Sequence, residues 1–348
     1  MKNSEPIDLA LGNVRVGPKP NVQTSLIGDS YAPMFGYQAL RKAIAVRHET
    51  ESHNVTLTTG ASLGLTALFG TLNRPASVLI PCPYFPAYPN ILRTLGITPI
   101  SYPVTPGVAD LEVDDLISRC RPDTRAVLVN WPGNPLGNIV PRSSFERLLE
   151  AASLHNLLIV TDEVYTDFTY QGNIADWEAP VDDTPLIRVR SFSKILGIPG
   201  ERLGYTLASQ DRIKSIARSH WNLAMSAPAT AQVFAAEMLL SGLEAYIEKL
   251  RKLLHENLDI AYELLSSVPG LEVGYPPGGP FIWVQLPHCQ TDSRTLAASC
   301  LQETGVAVMP GEDFGILNPT SLRVSFGAPK IAVETGCQIL STFLKRFV

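Results

Sequence analysis

The middle of the chain alternates short apolar runs with segments of helical periodicity, and this alternation limits the possible folds more than any other feature. The apolar runs cover residues 78–80, 126–129, 157–160 and 186–189, and each ends in polar, proline or glycine residues. Apolar strands separated by helices are typical of a parallel sheet with helices on both faces. The sequence therefore predicts an α/β fold built as a three-layer, mostly parallel sheet.

The character of the sequence changes near residue 230, which predicts a second domain. Residues 231–265 form a long amphipathic stretch that predicts one or two helices, and strands are predicted at 271–273, 281–286 and 322–326. We expect a large domain over 31–230 and a smaller α+β domain made of 231–348 together with the N-terminal 1–30, because 348 residues are too many for one small core.

A helical pattern at 144–152 in the large domain favours Ser143 or Ser144 as its N-cap, since serine side chains commonly cap the first turn of a helix.

Composition and charge exclude several classes of protein. The net charge is −5 without a basic tract, which argues against nucleic acid and anionic membranes as partners. The five cysteines are scattered and never form a C-x-x-C pair, and no H-E-x-x-H element occurs, so we expect neither a disulfide framework nor a metal site. With no signal-peptide pattern and no apolar run of membrane-spanning length, a cytoplasmic protein without membrane association is expected.

Lys194 lies in the most informative motif, S-F-S-K-I-L-G-I-P-G-E-R-L-G-Y over residues 191–205. The lysine follows a strand end, Ser191 precedes it by three residues and Arg202 follows it by eight. Lysine forms Schiff bases with carbonyl cofactors, whereas a hydroxyl and a guanidinium are groups that bind phosphate. Taken alone, the motif is also compatible with a surface lysine and an ion-paired arginine.

Two further strand ends carry a carboxylate and an amide. Asp162 follows a buried strand, and Tyr165 comes three residues later. A pyridoxal ring needs a carboxylate beside its nitrogen, and a tyrosine can bind its ring hydroxyl. Asn134, held by Pro135, can donate to the same phenolic oxygen. The alternatives are an aspartate that caps the next helix and an ordinary turn at 130–137.

Gly60, Ala61 and Ser62 open a helical run over 63–72. A turn of small residues at a helix N-terminus exposes backbone N–H groups and favours anions. The segment is not a Walker A loop, because no G-K-[ST] follows, and it lacks the spacing of a dinucleotide fingerprint.

These four elements, in this order, resemble the fold-type I pyridoxal-phosphate enzymes and in particular the class I/II aminotransferases. The resemblance covers residues from about 31 to 326. It implies pyridoxal 5'-phosphate held as a Schiff base on Lys194, with Lys194 and Asp162 as the catalytic residues. It also implies an amino acid and a 2-oxo acid as substrates, and a homodimer.

The resemblance assigns aromatic residues to the cofactor. Phe85, with Tyr84 as second candidate, stands in the segment that stacks on the pyridine ring. Tyr31 stands in the segment that crosses the dimer interface to the partner's cofactor phosphate.

The resemblance assigns three residues to the substrate. Arg323 matches the arginine that binds the α-carboxylate, and its apolar neighbours agree with this role, because a buried guanidinium needs an anion. Gly12 matches a glycine that lines the substrate pocket, and Asn134 is also expected at the substrate.

Three departures from the family pattern leave alternatives open. Leu136 stands where the family usually has threonine, Glu201 replaces a common aromatic residue, and the region before Tyr31 is short. A lyase, cyclase or decarboxylase of the same fold is therefore the main alternative to an aminotransferase, since fold does not fix function. A non-catalytic binding protein and a nucleotide-dependent dehydrogenase are less consistent with these motifs.

Overall fold

A computed structural model describes residues 6–16, 30–106, 111–170, 181–182 and 184–348 of the chain. The strands are β1 (Ile7–Asp8), β2 (Val55–Thr58), β3 (Ser77–Cys82), β4 (Thr98–Pro103), β5 (Thr124–Asn130), β6 (Leu158–Asp162), β7 (Leu186–Ser191), β8 (Gly204–Leu207), β9 (Glu272–Val273), β10 (Phe281–Leu286), β11 (Val306–Ala307), β12 (Met309–Pro310) and β13 (Thr320–Ser325). The helices are α1 (Gln38–Arg47), α2 (Gly60–Gly70), α3 (Ala87–Thr94), α4 (Val113–Ser118), α5 (Arg142–Leu154), α6 (Phe192–Ile195), α7 (Gln210–Ala224), α8 (Ala229–Ser241), α9 (Leu243–Ser266), α10 (Ser293–Thr304) and α11 (Lys330–Leu344).

A seven-stranded sheet forms the centre of the larger part of the chain. Its strand order is β2-β8-β7-β6-β5-β3-β4. Strands β3 to β7 run parallel, while β8 runs antiparallel to both of its neighbours. The carboxyl ends of β3, β5, β6 and β7 therefore meet at one edge of the sheet, where α/β proteins bind their ligands.

Successive side chains of the central strands enter two separate cores, one on each face of the sheet. In β3, Val78 and Ile80 pack against α2, α3 and α7, whereas Leu79 faces the core that contains α1, α4 and α5. This alternation follows from the two-residue period of a β-strand. The result is the three-layer, mostly parallel arrangement predicted from the sequence, which is confirmed.

A second, antiparallel sheet of four strands has the order β12-β13-β10-β9, and β1 pairs with β11 beside it. The long helical stretch after residue 228 is two helices, because Gly242 adopts φ +126° between α8 and α9. All strands of the large sheet lie within 55–207 and all strands of the second sheet within 272–325. The division at residue 230 stays a prediction, and residues 1–5 and 17–29 of its N-terminal part lie outside the described residues.

The predicted helix cap is wrong. Helix α5 begins at Arg142 with Pro141 at the N-cap position, and no side chain caps its first turn. Ser143 and Ser144 therefore lie inside the helix, because the backbone is still extended at Pro141 (ψ 148°) and becomes helical from Arg142 onward. Within the described ranges, no helix combines the length and the apolar character needed to cross a membrane.

Candidate active site

A cavity of about 330 Å³ opens at the carboxyl edge of the large sheet. The last residues of three neighbouring strands line it, namely Asn130 of β5, Asp162 of β6 and Ser191 of β7. The N-terminal segment 10–13 and residues Met309, Phe314 and Arg323 from the second sheet region close the opposite side. The cavity therefore lies between the two sheets and collects polar groups from both.

Lys194 places its amine in this cavity from the short helix α6, directly after β7. Its Nζ donates to Oδ1 of Asn13 at 3.2 Å and lies 5.9 Å from the centre of the Tyr165 ring. Burial, together with the positive charges of Arg323 and Arg202, lowers the pKa of Lys194 to about 8. A lysine with this pKa is partly neutral near physiological pH, so it can act as a nucleophile and as a base.

Asp162 presents a buried carboxylate to the cavity. Its Oδ2 accepts a hydrogen bond from the hydroxyl of Tyr88 at 2.7 Å, and its Oδ1 accepts one from the backbone N–H of Val164 at 3.2 Å. Burial raises the pKa of Asp162 to about 6, although these two hydrogen bonds oppose the shift. Each oxygen keeps a lone pair, so the carboxylate can still accept a proton or a hydrogen bond from a ligand.

The neighbouring carboxylate, Glu163, points away from the cavity and is neutralised elsewhere. It pairs with Arg188 through two contacts of 2.8 Å, and it accepts from the hydroxyl of Thr161. Burial alone would raise the pKa of Glu163, but Arg188 and Arg190 outweigh it and hold that pKa below its usual value. Of the two adjacent acids, Asp162 alone lines the cavity.

One end of the cavity carries donors suited to a phosphate. Helix α2 begins at Gly60, and the next two residues, Ala61 and Ser62, line the cavity at the helix N-terminus. Gly60 adopts φ +70°, and a Cβ atom there would lie 2.6 Å from Nη2 of Arg202. Glycine is therefore required for the guanidinium to approach this turn. Ser191, also on the cavity, accepts from the backbone N–H of Ser193.

Arg323 occupies the other end of the cavity. Its guanidinium lies 4.2 Å from the ring centre of Phe281 and 5.0 Å from that of Phe314, and its Nη1 donates to Oδ1 of Asn134 at 2.8 Å. Another hydrogen bond joins Nη2 to the carbonyl oxygen of Ala10. No described residue pairs with the buried Nε. Burial lowers the pKa of Arg323 to about 10.

Most of the residues predicted from the sequence meet at this cavity. Those that line it are Lys194, Asp162, Tyr165, Asn134, Ser191, Arg202, Ala61, Ser62, Phe85, Arg323 and Gly12, and Gly60 lies against Arg202.

Two predicted aromatic residues do not line the cavity within the described chain. Tyr84 packs its ring against Gly315, because its backbone is hydrogen-bonded to Phe314, and Phe85 takes the position on the cavity. Tyr31 is 72% exposed on the surface. The contact of Tyr31 with a partner subunit stays a prediction.

Asn13 and Tyr88 also line the cavity, although neither was predicted as a site residue. Asn13 follows Gly12 directly, and that adjacency is its one signal in the sequence. Tyr88 follows Phe85 by three residues, and at the start of α3 this spacing brings both rings to the same side of the helix.

The donor set of the cavity fits pyridoxal phosphate. A guanidinium and a helix N-terminus lie at one end, a buried carboxylate and a lysine of lowered pKa lie between, and a buried arginine with an unpaired nitrogen lies at the other end. A phosphate, a ring nitrogen, an aldehyde and a substrate carboxylate are the complementary groups. The fold and the cavity together define a pyridoxal-phosphate enzyme.

Comparison with known proteins identifies the family. The family model described as aminotransferase class I and II matches residues 23–340. Aspartate aminotransferase of Bacillus sp. (strain YM-2) is 28% identical over 334 residues, which cover 90% of this chain and 84% of that protein. The (5-formylfuran-3-yl)methyl phosphate transaminase of Methanocaldococcus jannaschii is 28% identical, over 84% of this chain and 76% of its own.

The fold is shared with solved structures. A double mutant of Thermus thermophilus aspartate aminotransferase superposes with a TM-score of 0.88 at 23% identity, covering 98% of this chain and 92% of the other. The chain belongs to the class I and II aminotransferase family. It is a pyridoxal-phosphate-dependent aminotransferase, as the sequence predicted, and the related proteins named above carry aminotransferase names and not those of lyases, cyclases or decarboxylases.

Proposed function

We propose that this enzyme transfers the α-amino group of an amino acid to a 2-oxo acid, with its cofactor on Lys194. The observation that carries the proposal is that Lys194 lines the same cavity as the Asp162 carboxylate. Burial and two nearby guanidinium groups lower the pKa of Lys194 to about 8. When bound, pyridoxal phosphate supplies an electron sink for the negative charge left when the Cα proton of an amino acid is removed.

Lys194 has two tasks in this proposal. As a neutral amine it would hold the cofactor through the cofactor aldehyde, and as a free amine it would move the Cα proton of the substrate as a general base and acid. Its contact with Asn13 at 3.2 Å fixes the direction of Nζ in the cavity. A base whose pKa lies near the working pH can both accept and return a proton, which amine transfer requires.

Asp162 would hold the proton on the ring nitrogen of the cofactor. Its carboxylate is kept in place by Tyr88 and by the N–H of Val164. In a buried site, a fixed carboxylate stabilises positive charge without the reorganisation that water would need. Asn134 and Tyr165 would bind the phenolic oxygen, and Phe85 would stack on the ring face.

Arg202, Ser191 and the turn 60–62 would hold the phosphate, and Arg323 would bind the substrate carboxylate. Arg323 suits this role because its charge is buried between two aromatic rings. A carboxylate that accepts a forked pair of hydrogen bonds holds the Cα–H bond in a fixed direction. Asn134, bonded to Nη1 of Arg323, and Gly12 would shape the same pocket.

The substrate side chain that fits the described residues is uncharged. The cations that line the cavity are Lys194, Arg202 and Arg323, and each already has a partner in the proposal. Among the described residues, none remains for a second carboxylate, whereas Leu11, Met309 and Phe314 offer apolar surface. We therefore propose a preference for apolar amino acids, in contrast to the aspartate named for several relatives.

We propose a homodimer and a cytoplasmic location for the working enzyme. Tyr31 is exposed in one chain, as expected of a side chain that completes the site of a second chain in a symmetric dimer. All five cysteines are free thiols, which suits a reducing compartment. An active monomer in light scattering at assay concentration would contradict the dimer.

A spectral half-reaction tests the proposed function. Holoenzyme mixed with apolar L-amino acids should lose the visible band of the lysine-bound cofactor, release a 2-oxo acid and regain the band when a 2-oxo acid is added. Lys194→Ala is the control and should show neither change. Release of ammonia or carbon dioxide in place of band recovery would contradict amine transfer, while faster conversion of aspartate would contradict only the apolar preference.

A further inference from the structure

His220 is a fully buried histidine directly behind the turn that opens helix α2. It lies on α7, which packs against α2 and β2. Its Nε2 is 2.9 Å from the backbone nitrogen of Thr59 and 3.2 Å from the Thr59 hydroxyl. Thr59 immediately precedes Gly60, so the imidazole contacts the residue from which the cavity turn begins.

The direction of this hydrogen bond determines the protonation state of His220. The backbone N–H of Thr59 can only donate, so Nε2 accepts and the neutral ring carries its proton on Nδ1. A doubly protonated ring would set an N–H group against the Thr59 N–H. Burial lowers the pKa of His220 and thereby favours the neutral ring.

Packing alone does not explain an imidazole at this position. Within the described part of the chain, Nδ1 is buried and has no hydrogen-bond partner. A buried N–H without a partner is unfavourable, and an apolar side chain would avoid this penalty. What the imidazole offers, and an apolar side chain does not, is the acceptor at Nε2.

That acceptor holds a part of the backbone whose conformation depends on glycine. Thr59 connects Thr58, the last residue of β2, to Gly60, which adopts φ +70°. Gly60 lies against Arg202 on the cavity side, since a Cβ atom added to Gly60 would lie 2.6 Å from Nη2 of Arg202. On the other side, the backbone N–H of Thr59 is hydrogen-bonded to His220. A shift of Thr59 would move the N–H groups of Ala61 and Ser62, because they follow within two residues.

We propose that His220 is a positioning residue that holds the turn 59–62 in the conformation that binds the cofactor phosphate. It acts through the backbone of Thr59 and does not line the cavity. The inference rests on the proposed function, because it takes this turn as the phosphate site. It goes further by placing a determinant of cofactor affinity on α7, outside the cavity.

The test compares two ligands that differ only in the phosphate. Dissociation constants of pyridoxal phosphate and of pyridoxal are measured by equilibrium dialysis for the cofactor-free full-length protein and three variants, His220→Leu, His220→Asn and His220→Gln. His220→Leu should weaken pyridoxal phosphate binding roughly five- to tenfold, the effect of one lost hydrogen bond, and leave pyridoxal binding unchanged.

Matched amides supply the control. The Oε1 atom of a glutamine can occupy the position of Nε2, so His220→Gln should recover most of the affinity, whereas His220→Asn has its oxygen nearer the position of Nδ1 and should not. If His220→Leu does not fold, the glutamine and asparagine variants still make the comparison.

Equal losses for both ligands, no loss for either, or equal affinity of the glutamine and asparagine variants would overturn the proposal. If the wild-type protein bound pyridoxal phosphate and pyridoxal equally, the turn would not be the phosphate site. The proposed assignment of the phosphate to that turn would then fail, which is distinct from a failure of the role of His220.

Discussion

The hydroxyl of Tyr88 donates a 2.7 Å hydrogen bond to Oδ2 of Asp162 at the edge of the large sheet. Both side chains are buried, and the pair connects the start of α3 to the end of β6. A hydrogen bond to the ionised form of a carboxyl group lowers its pKa. Tyr88 therefore opposes the burial that raises the pKa of Asp162 to about 6.

Removal of the Tyr88 hydroxyl should make the enzyme more sensitive to acid. In Tyr88→Phe the pKa of Asp162 should rise further, so at neutral pH less of it is ionised to pair with the protonated ring nitrogen. A rise of roughly one pKa unit from about 6 should lower kcat about twofold at pH 7 and by close to tenfold at about pH 5, with recovery as the pH rises. A pH profile of kcat measures this.

Tyr102→Phe is the matched control for that profile. Tyr102 is also buried, and its hydroxyl donates to the carbonyl oxygen of Leu128 at 2.9 Å and not to Asp162. The Tyr102→Phe variant should keep the wild-type pH profile of kcat. If kcat of Tyr88→Phe were reduced by the same factor at every pH, Tyr88 would not act through the ionisation of Asp162.

Substitution of Arg323 should impair substrate use and leave cofactor binding intact. The guanidinium is buried, its pKa is lowered to about 10 and its Nε lacks a partner among the described residues, so a substrate carboxylate would complete it. Arg323→Ala should reduce kcat/KM for an α-amino acid by roughly 10²-fold or more. The amount of bound cofactor should be unchanged.

Arg323→Lys should restore only part of the activity, because an ammonium group cannot form the forked pair with a carboxylate. Normal kcat/KM in the alanine variant would remove Arg323 from the substrate site. An amine without a carboxylate as the best substrate would have the same consequence.

The amine of Lys194 should titrate about two pH units below an ordinary lysine. Burial, with Arg323 and Arg202 near it, lowers its pKa to about 8, against roughly 10.4 for an unperturbed lysine. In the cofactor-free protein, labelling of Lys194 by an amine-specific reagent should reach half its maximal rate near pH 8. Mass spectrometry of the peptide that contains Lys194 measures this, and a midpoint above pH 10 would contradict it.

The lowered pKa of Lys194 also makes the free energy of unfolding depend on pH. Between about pH 8 and pH 10.5 the folded cofactor-free protein holds fewer protons at this lysine than the unfolded chain does. The contribution of Lys194 to the free energy of unfolding therefore increases with pH through that window and is least favourable below it. Lys194→Met should remove this part of the pH dependence.

The sequence predicts much of the cavity because its principal residues lie at the ends of strands. Asp162 and Ser191 are the last residues of strands that are almost fully buried, and Lys194 follows the second of them by three positions. Parallel strands bring their carboxyl ends together, so reactive residues at strand ends lie close to one another. Their proximity can therefore be predicted without knowing the long-range contacts.

Residues that act across the fold are not predictable in this way. Tyr88 and Asp162 are separated by 74 positions, and Thr59 and His220 by 161, and no local pattern connects either pair. Arg188 interrupts the predicted apolar run 186–189, and its charge is neutralised there by Glu163, the residue that directly follows the neighbouring strand β6. The antiparallel direction of β8 likewise depends on its partners, since four residues carry no signal of strand direction.

Reduction of the holoenzyme with borohydride, followed by peptide mapping, tests the assignment of the cofactor to Lys194 most directly. Reduction converts the link between a lysine and the cofactor into a stable amine, so the added mass marks the residue that carried it. We expect that mass on the peptide that contains Lys194 and its absence in Lys194→Ala. Cofactor mass on a different lysine, or a reducible adduct that persists in Lys194→Ala, would contradict the proposed active site.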